Sequence, residues 1–169
     1  FGGARGTSHV YFARGNDLTE AIYDFPAICA NSVWRDSQVI VKVPESLQDD
    51  NYQIQMIIGS STITTQNLNP NTFVFDHNAD LKSSLCKINP EQGPISTPVT
   101  LWGEYFGAIG SNGLVRFNYN QDATGPIVQE NDANTIQTEV PPAAITGPVG
   151  VIKNNEAGNE LNFIVAECS

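Results

Sequence analysis

The side chains able to do chemistry in this 169-residue chain are two histidines, 18 acidic residues, three cysteines and a scatter of aromatic rings. His9 opens an alternating stretch and His77 lies far away in a linker, so neither has a sequence neighbour suited to a nucleophilic relay. A Ser-His-Asp enzyme would also need a strained nucleophile turn, and no Gly-x-Ser-x-Gly occurs. Two carboxylate pairs, Asp49 with Asp50 and Glu130 with Asp132, sit in turn-rich text. Acids there favour turns and solubility rather than the acid–base work of a glycosidase. The chain is therefore expected not to be an enzyme.

The linker FDHNADLKSSLCK sets Asp76, Asn78 and Asp80 at alternate positions. Oxygen ligands so spaced suit Ca²⁺, which would stiffen the joint, although calcium takes about six to eight oxygens and three are visible. The plainer reading is a solvated linker whose Asp and Asn break the strand. No other cofactor is expected. Among the rings, Trp34, Trp102, Tyr105, Tyr11 and Tyr119 could form a sugar-stacking or partner-binding face. Trp102, between Leu101 and Gly103, is expected to cover a core edge. Trp34, in a loop insertion, is expected to be exposed and to contact a partner, since Trp is enriched at interfaces.

The elements that must position these groups are strands. Alternating or β-rich runs occur at 8–12, 38–43, 52–58, 72–75, 98–102, 114–119, 135–140, 149–153 and 161–165. Turn clusters such as QDDN, NLNPN, GSNG and NNEAGN bound them. Only NDLTEAIY, residues 16–23, reads as helical, for one turn at most. Short strands without βα alternation predict antiparallel sandwiches. A net charge of -10 repels phosphate backbones and anionic membranes, so nucleic acid is not an expected partner. No apolar run is long enough to cross a bilayer and no leader-like start is visible, so no membrane insertion is expected and any export signal lies outside the segment.

The chain also repeats itself. FGGARGTSHVYF (1–12) aligns without a gap on FGAIGSNGLVRF (106–117). Val43-Pro44 then answers Val140-Pro141, NYQIQMII answers GPVGVIKN, and NTFVFD answers LNFIVA. Only the second copy has strands before its Phe-Gly, within KINPEQGPISTPVTLWGEY (87–105). The chain thus starts inside a repeat, about two strands late. The run INPEQGPISTPVTLWGEYFG, a Val-x-Phe strand, a Val-Pro turn and a closing Phe-x-Val strand resemble an IPT/TIG domain. Such domains are immunoglobulin-like and occur in plexins, some transcription factors and many bacterial surface proteins. The first copy departs from the pattern by its longer loop after Phe12, which carries Trp34.

Two tandem immunoglobulin-like (IPT/TIG) β-sandwiches are therefore expected, residues 1–80, lacking the opening strands, and residues 81–169, complete. In such a unit the first and last strands run the same way, so Cys86 and Cys168 lie at opposite poles, too far apart to bond. Cys29 falls near the starting pole of its own unit. This leaves two readings: three unpaired thiols, or Cys168 reaching Cys29 of a neighbouring chain. The leading functional reading is a structural repeat of an extracellular or cell-surface fibre, stalk, adhesin or array, a homopolymer joined head to tail through Phe1, Trp34, Cys29 and Cys168. The alternative is a binding or accessory module, for a glycan or a protein, of a larger secreted protein. Aromatics aligned on one exposed sheet would favour the second; aromatics buried at contacts between units would favour the first.

Overall fold

The computed structural model describes residues 2–64, 72–107, 113–118, 121–123, 128–129 and 134–166. The chain divides into two compact units, Phe1–Asp80 and Leu81–Ser169, and the described residues are nearly all strand and turn. The first unit carries β1 (His9–Arg14), β2 (Asp17–Glu20), β3 (Asp50–Ile58), β4 (Ser61–Thr64) and β5 (Phe73–Phe75). They form one antiparallel sheet in the order β2-β1-β3-β4, with β5 also on β3. Period-2 alternation explains β1: Val10 and Phe12 are buried on one face, while Tyr11 lies half-buried on the other.

The second unit carries β6 (Ser84–Asn89), β7 (Gln92–Gly93), β8 (Pro98–Glu104), β9 (Gly113–Phe117), β10 (Gln121–Asp122), β11 (Val128–Gln129), β12 (Thr135–Glu139), β13 (Gly147–Lys153), β14 (Glu156–Ala157) and β15 (Leu161–Val165). One sheet runs β6-β8-β12-β11, the other β10-β9-β13-β15-β7, with β14 on β13. Lettered by chain order, these are the A-B-E-D and C-F-G sheets of an immunoglobulin-like sandwich. Leu85, Ile88, Val99, Leu101 and Ile136 from one sheet, and Val115, Phe117, Val149, Val151 and Phe163 from the other, are buried. Pro90, after a cis Asn89–Pro90 bond, cannot continue a ladder, and the chain switches there from β6 to β7, which pairs in parallel with β15.

Strand for strand, β2-β1-β3-β5 repeats the pairing of β10-β9-β13-β15, and β4 on β3 repeats β14 on β13. The T-shaped pair Phe12–Phe73, with centroids 5.3 Å apart, answers Phe117–Phe163 at 5.7 Å. The Val-Pro turns also agree, Leu47 N–H donating to Pro44 O at 3.2 Å and Ala144 N–H to Pro141 O at 3.1 Å. One stretch of the sequence alignment is corrected by a single position. Phe12 lies opposite Ile54 and Phe117 opposite Val149, so Ile54 answers Val149 rather than Gly150. A one-residue slip exchanges the faces of a strand, and the observed register keeps the apolar side inward.

One local expectation changes as well. Residues 16–23 are not helical: Gly15-Asn16 is a two-residue hairpin turn from β1 into β2, with Gly15 at φ 59° in the first central position that primed turns reserve for positive φ. In the WGEYFG motif the left-handed residues are Tyr105 (φ 59°) and Gly107 (φ 71°). Gly103 serves by close approach instead, because a Cβ there would stand 1.8 Å from Ser84 O and 2.6 Å from the ring of fully buried Phe106.

Candidate functional site

Among the described residues of the first unit no strand answers β6 or β8, and the stretch between β2 and β3 takes their place over the core. In the second unit β12 is held by β8. Its counterpart, residues 38–43, makes no continuous strand. It is held by two isolated bridges, Ile22 to Lys42 and Trp34 to Val39. Trp34 is consequently buried, at 5% exposure, among Val10, Phe12, Ala21, Leu47 and Tyr52. The expectation that Trp34 is exposed is overturned. An indole brought over an apolar sheet face removes more surface from water than any other side chain could. Tyr52, at the start of β3, closes the end of this core: its hydroxyl donates to Gln48 O at 3.0 Å and accepts from Gln48 N–H at 3.1 Å. This is the corner typical of immunoglobulin-like folds. Arg14 reinforces it from Gln48 (3.1 Å) and Asp50 (3.4 Å).

The insertion also builds a cleft of about 380 Å³ against the segment that precedes β1, lined by Arg5, Tyr23, Phe25, Asn31, Trp34 and Ile40 among others. Tyr23 is pinned at its hydroxyl, which accepts from Val10 N–H at 2.6 Å and lies 3.4 Å from Val10 O. Burial pushes the phenol's pKa up. The Arg5 guanidinium lies 3.8 Å above the Tyr23 ring and Lys42 Nζ lies 5.3 Å from the Phe25 ring.

The opposite face of the sheet carries a different pattern. Register places Glu20, Tyr11, Gln55 and Thr64 in one row across β2, β1, β3 and β4. His9, Ile57 and Thr62 form the next row, and Leu18, Ala13 and Gln53 the one before. His9 and Tyr11 stack with centroids 6.0 Å apart and planes 26° apart. Glu20 Oε1 lies 2.6 Å from His9 Nδ1, both side chains well exposed. The result is a shallow aromatic ledge bordered by amides and hydroxyls.

Other predicted groups are dispersed. Phe1, Cys168, Glu130 and Asp132 lie outside the described residues. Cys29, fully buried, and Cys86 are both disulfide-bonded, so the reading of three unpaired thiols is wrong for these two, and Cys29 has no thiol to offer a neighbour's Cys168. Asp76 and Asn78 form a turn: Asp76 Oδ1 accepts from Asn78 N–H (2.8 Å) and from Asn78 Nδ2 (3.3 Å), and Ala79 N–H donates to Asp76 O (3.2 Å). Asp80 is exposed beyond it. Among the described residues no three His, Cys, Asp or Glu side chains converge as a metal site. Asp49 pairs with His77, the Nδ1 to Oδ1 distance being 2.6 Å. Sequence reasoning missed Arg5, Tyr23 and Phe25; their one visible signal was a Tyr-x-Phe-Pro run inside the insertion peculiar to the first copy.

No protein-family model and no curated protein matches the chain. Among solved structures it is similar to an auxiliary nutrient binding protein from Bacteroides thetaiotaomicron, at 25% identity and a TM-score of 0.41, over 54% of this chain and 22% of that one. The chain thus spans about a fifth of that protein's length. At this score the likeness bears on neither fold nor function.

Proposed function

We propose that the chain is a non-catalytic binding module of a larger extracellular protein, and that its ligand is a neutral glycan lying along the outer face of the β2-β1-β3-β4 sheet. The observation that carries this is the row Glu20–Tyr11–Gln55–Thr64 with His9 stacked beside Tyr11. A pyranose presents an apolar CH face and a rim of hydroxyls, which suits a ring flanked by amide and hydroxyl groups. The one acidic side chain in these rows, Glu20, is hydrogen-bonded to His9, and the rows hold no lysine or arginine, so nothing there selects an anionic polymer. Export is supported by the disulfide bonding of Cys29 and Cys86, since such bonds persist in oxidising compartments. Membership of the IPT/TIG group is supported by the A-B-E-D and C-F-G strand orders and by the places of Pro90, Gly103 and Phe106 in them.

Affinity electrophoresis of the full chain through gels of mixed-linkage β-glucan, xyloglucan, galactomannan or soluble starch tests the reading. Retardation is expected in at least one gel, weakened about tenfold by Tyr11→Ala, the scale of one aromatic anchor. Unretarded wild-type protein in all four gels, or undiminished retardation of Tyr11→Ala, would overturn it.

A further inference from the structure

The cleft beneath the insertion lies on the other side of the sheet from the ledge, and its chemistry differs. We propose that it is a second binding site, for a small aromatic carboxylate. On a chain with 18 acidic and 8 basic residues, the lining of this cleft holds a guanidinium and no carboxylate. Among the described residues Arg5 makes no ion pair. It is held instead over the ring of Tyr23, 3.8 Å from its centroid, and the Tyr23 hydroxyl is in turn fixed by the backbone of Val10. A guanidinium oriented in advance forms two parallel charge-assisted bonds to a carboxylate with little further ordering.

The rest of the ligand is set by the walls. Phe25, Trp34, Val33 and Ile40 are apolar, and Asn31 supplies the lone side-chain amide of the lining. A free sugar acid would bury hydroxyls against these walls without partners, at a cost for each. An inorganic anion would satisfy Arg5 and leave the walls wet. A carboxylate on one or two fused aromatic rings satisfies both, and the volume of about 380 Å³ is at the small end of the ligand-pocket range.

The test is titration calorimetry with saturation-transfer NMR on the full chain. The probes are benzoate and indole-3-carboxylate, against the uncharged benzamide and indole-3-carboxamide. Saturable binding of at least one acid is expected, about tenfold tighter than its amide, and Arg5→Gln should erase that preference while Arg5→Lys keeps part of it. Tyr11→Ala should leave the preference intact, and neither Arg5 variant should change retention on a neutral polysaccharide, so this site and the glycan face fail separately. Thermal midpoints within a few degrees of wild type would show that the variants fold. Should Arg5→Gln unfold, the salt dependence of acid binding in the wild type decides instead, because the acid should weaken with added salt and the amide should not. Absence of saturable acid binding, equal affinity for acid and amide, or a preference surviving in folded Arg5→Gln would each overturn the proposal.

Discussion

Asp49 and His77 show how a pair with no catalytic meaning still leaves a pH signature. Asp49 Oδ1 accepts from the His77 backbone N–H at 2.7 Å and lies 2.6 Å from His77 Nδ1, while the imidazole meets Phe75 edge-on at 4.7 Å. The hydrogen bond to Asp49 raises the His77 pKa, and the bonds from His77, the backbone one foremost, lower that of Asp49. A raised histidine pKa stabilises the fold below the unfolded value and loses that contribution as pH rises through the folded one. A lowered Asp pKa stabilises above its unfolded value and is lost as pH falls through the folded one. The pair therefore contributes most between the ordinary Asp and His values, about pH 4 to 6.5. Both groups face solvent, so the gain is small, and the clean readout is local. An NMR titration should place His77 above its ordinary value in wild type, and Asp49→Asn should bring it down toward that value. An unchanged His77 titration in Asp49→Asn would remove the pairing as the cause.

Most of the longer strands were legible in the sequence because they carry their own signal, alternation in His9–Arg14 and Leu161–Val165 and turn residues at each end; β2, expected as a helical turn, and β4 were not. Pairing within the repeats was legible too, since like sequence makes like sheets. The insertion was not. Residues 21–37 have neither period nor repeat partner, and their conformation is set by the space left where no described strand of the first unit answers β6 and β8. Trp34 was misjudged for that reason: its neighbours are remote in sequence, and nothing local distinguishes an indole on a surface loop from one closing a core. The cleft was illegible for the same cause, being a by-product of how the insertion lies. If Trp34 stands in for a missing strand, its loss should unfold the first unit selectively. Trp34→Ala should cost about 3 to 5 kcal/mol, the range for large-to-small changes in cores. In urea, followed by resolved amide signals from each unit, those of β1 and β3 should vanish first while those of β9 and β13 keep their wild-type midpoint. A loss under about 1 kcal/mol would mean that the indole covers little.

The head-to-tail polymer expected from the sequence had two supports, a core face open for want of strands and a thiol at Cys29 ready for a neighbour's Cys168. The insertion covers much of that face with Trp34 and Leu47, packed with Tyr52 of β3, leaving Ile54, Met56 and Phe73 half-buried beside them, and Cys29 is already bonded. What remains to drive association is modest, for two reasons. Contacts that add copies along one axis without closing must each be favourable on their own. A surface with an excess of ten negative charges also repels its copies, most strongly at low salt. The chain is therefore expected to run as a single copy. Light scattering behind size exclusion should give one chain mass, near 18.3 kDa, unchanged over about a hundredfold in concentration and with or without reductant. If repulsion rather than the covered core were keeping copies apart, raising the salt would produce a mass that climbs with concentration. That outcome would return Ile54, Met56 and Phe73 to the role of a docking face and revive the fibre.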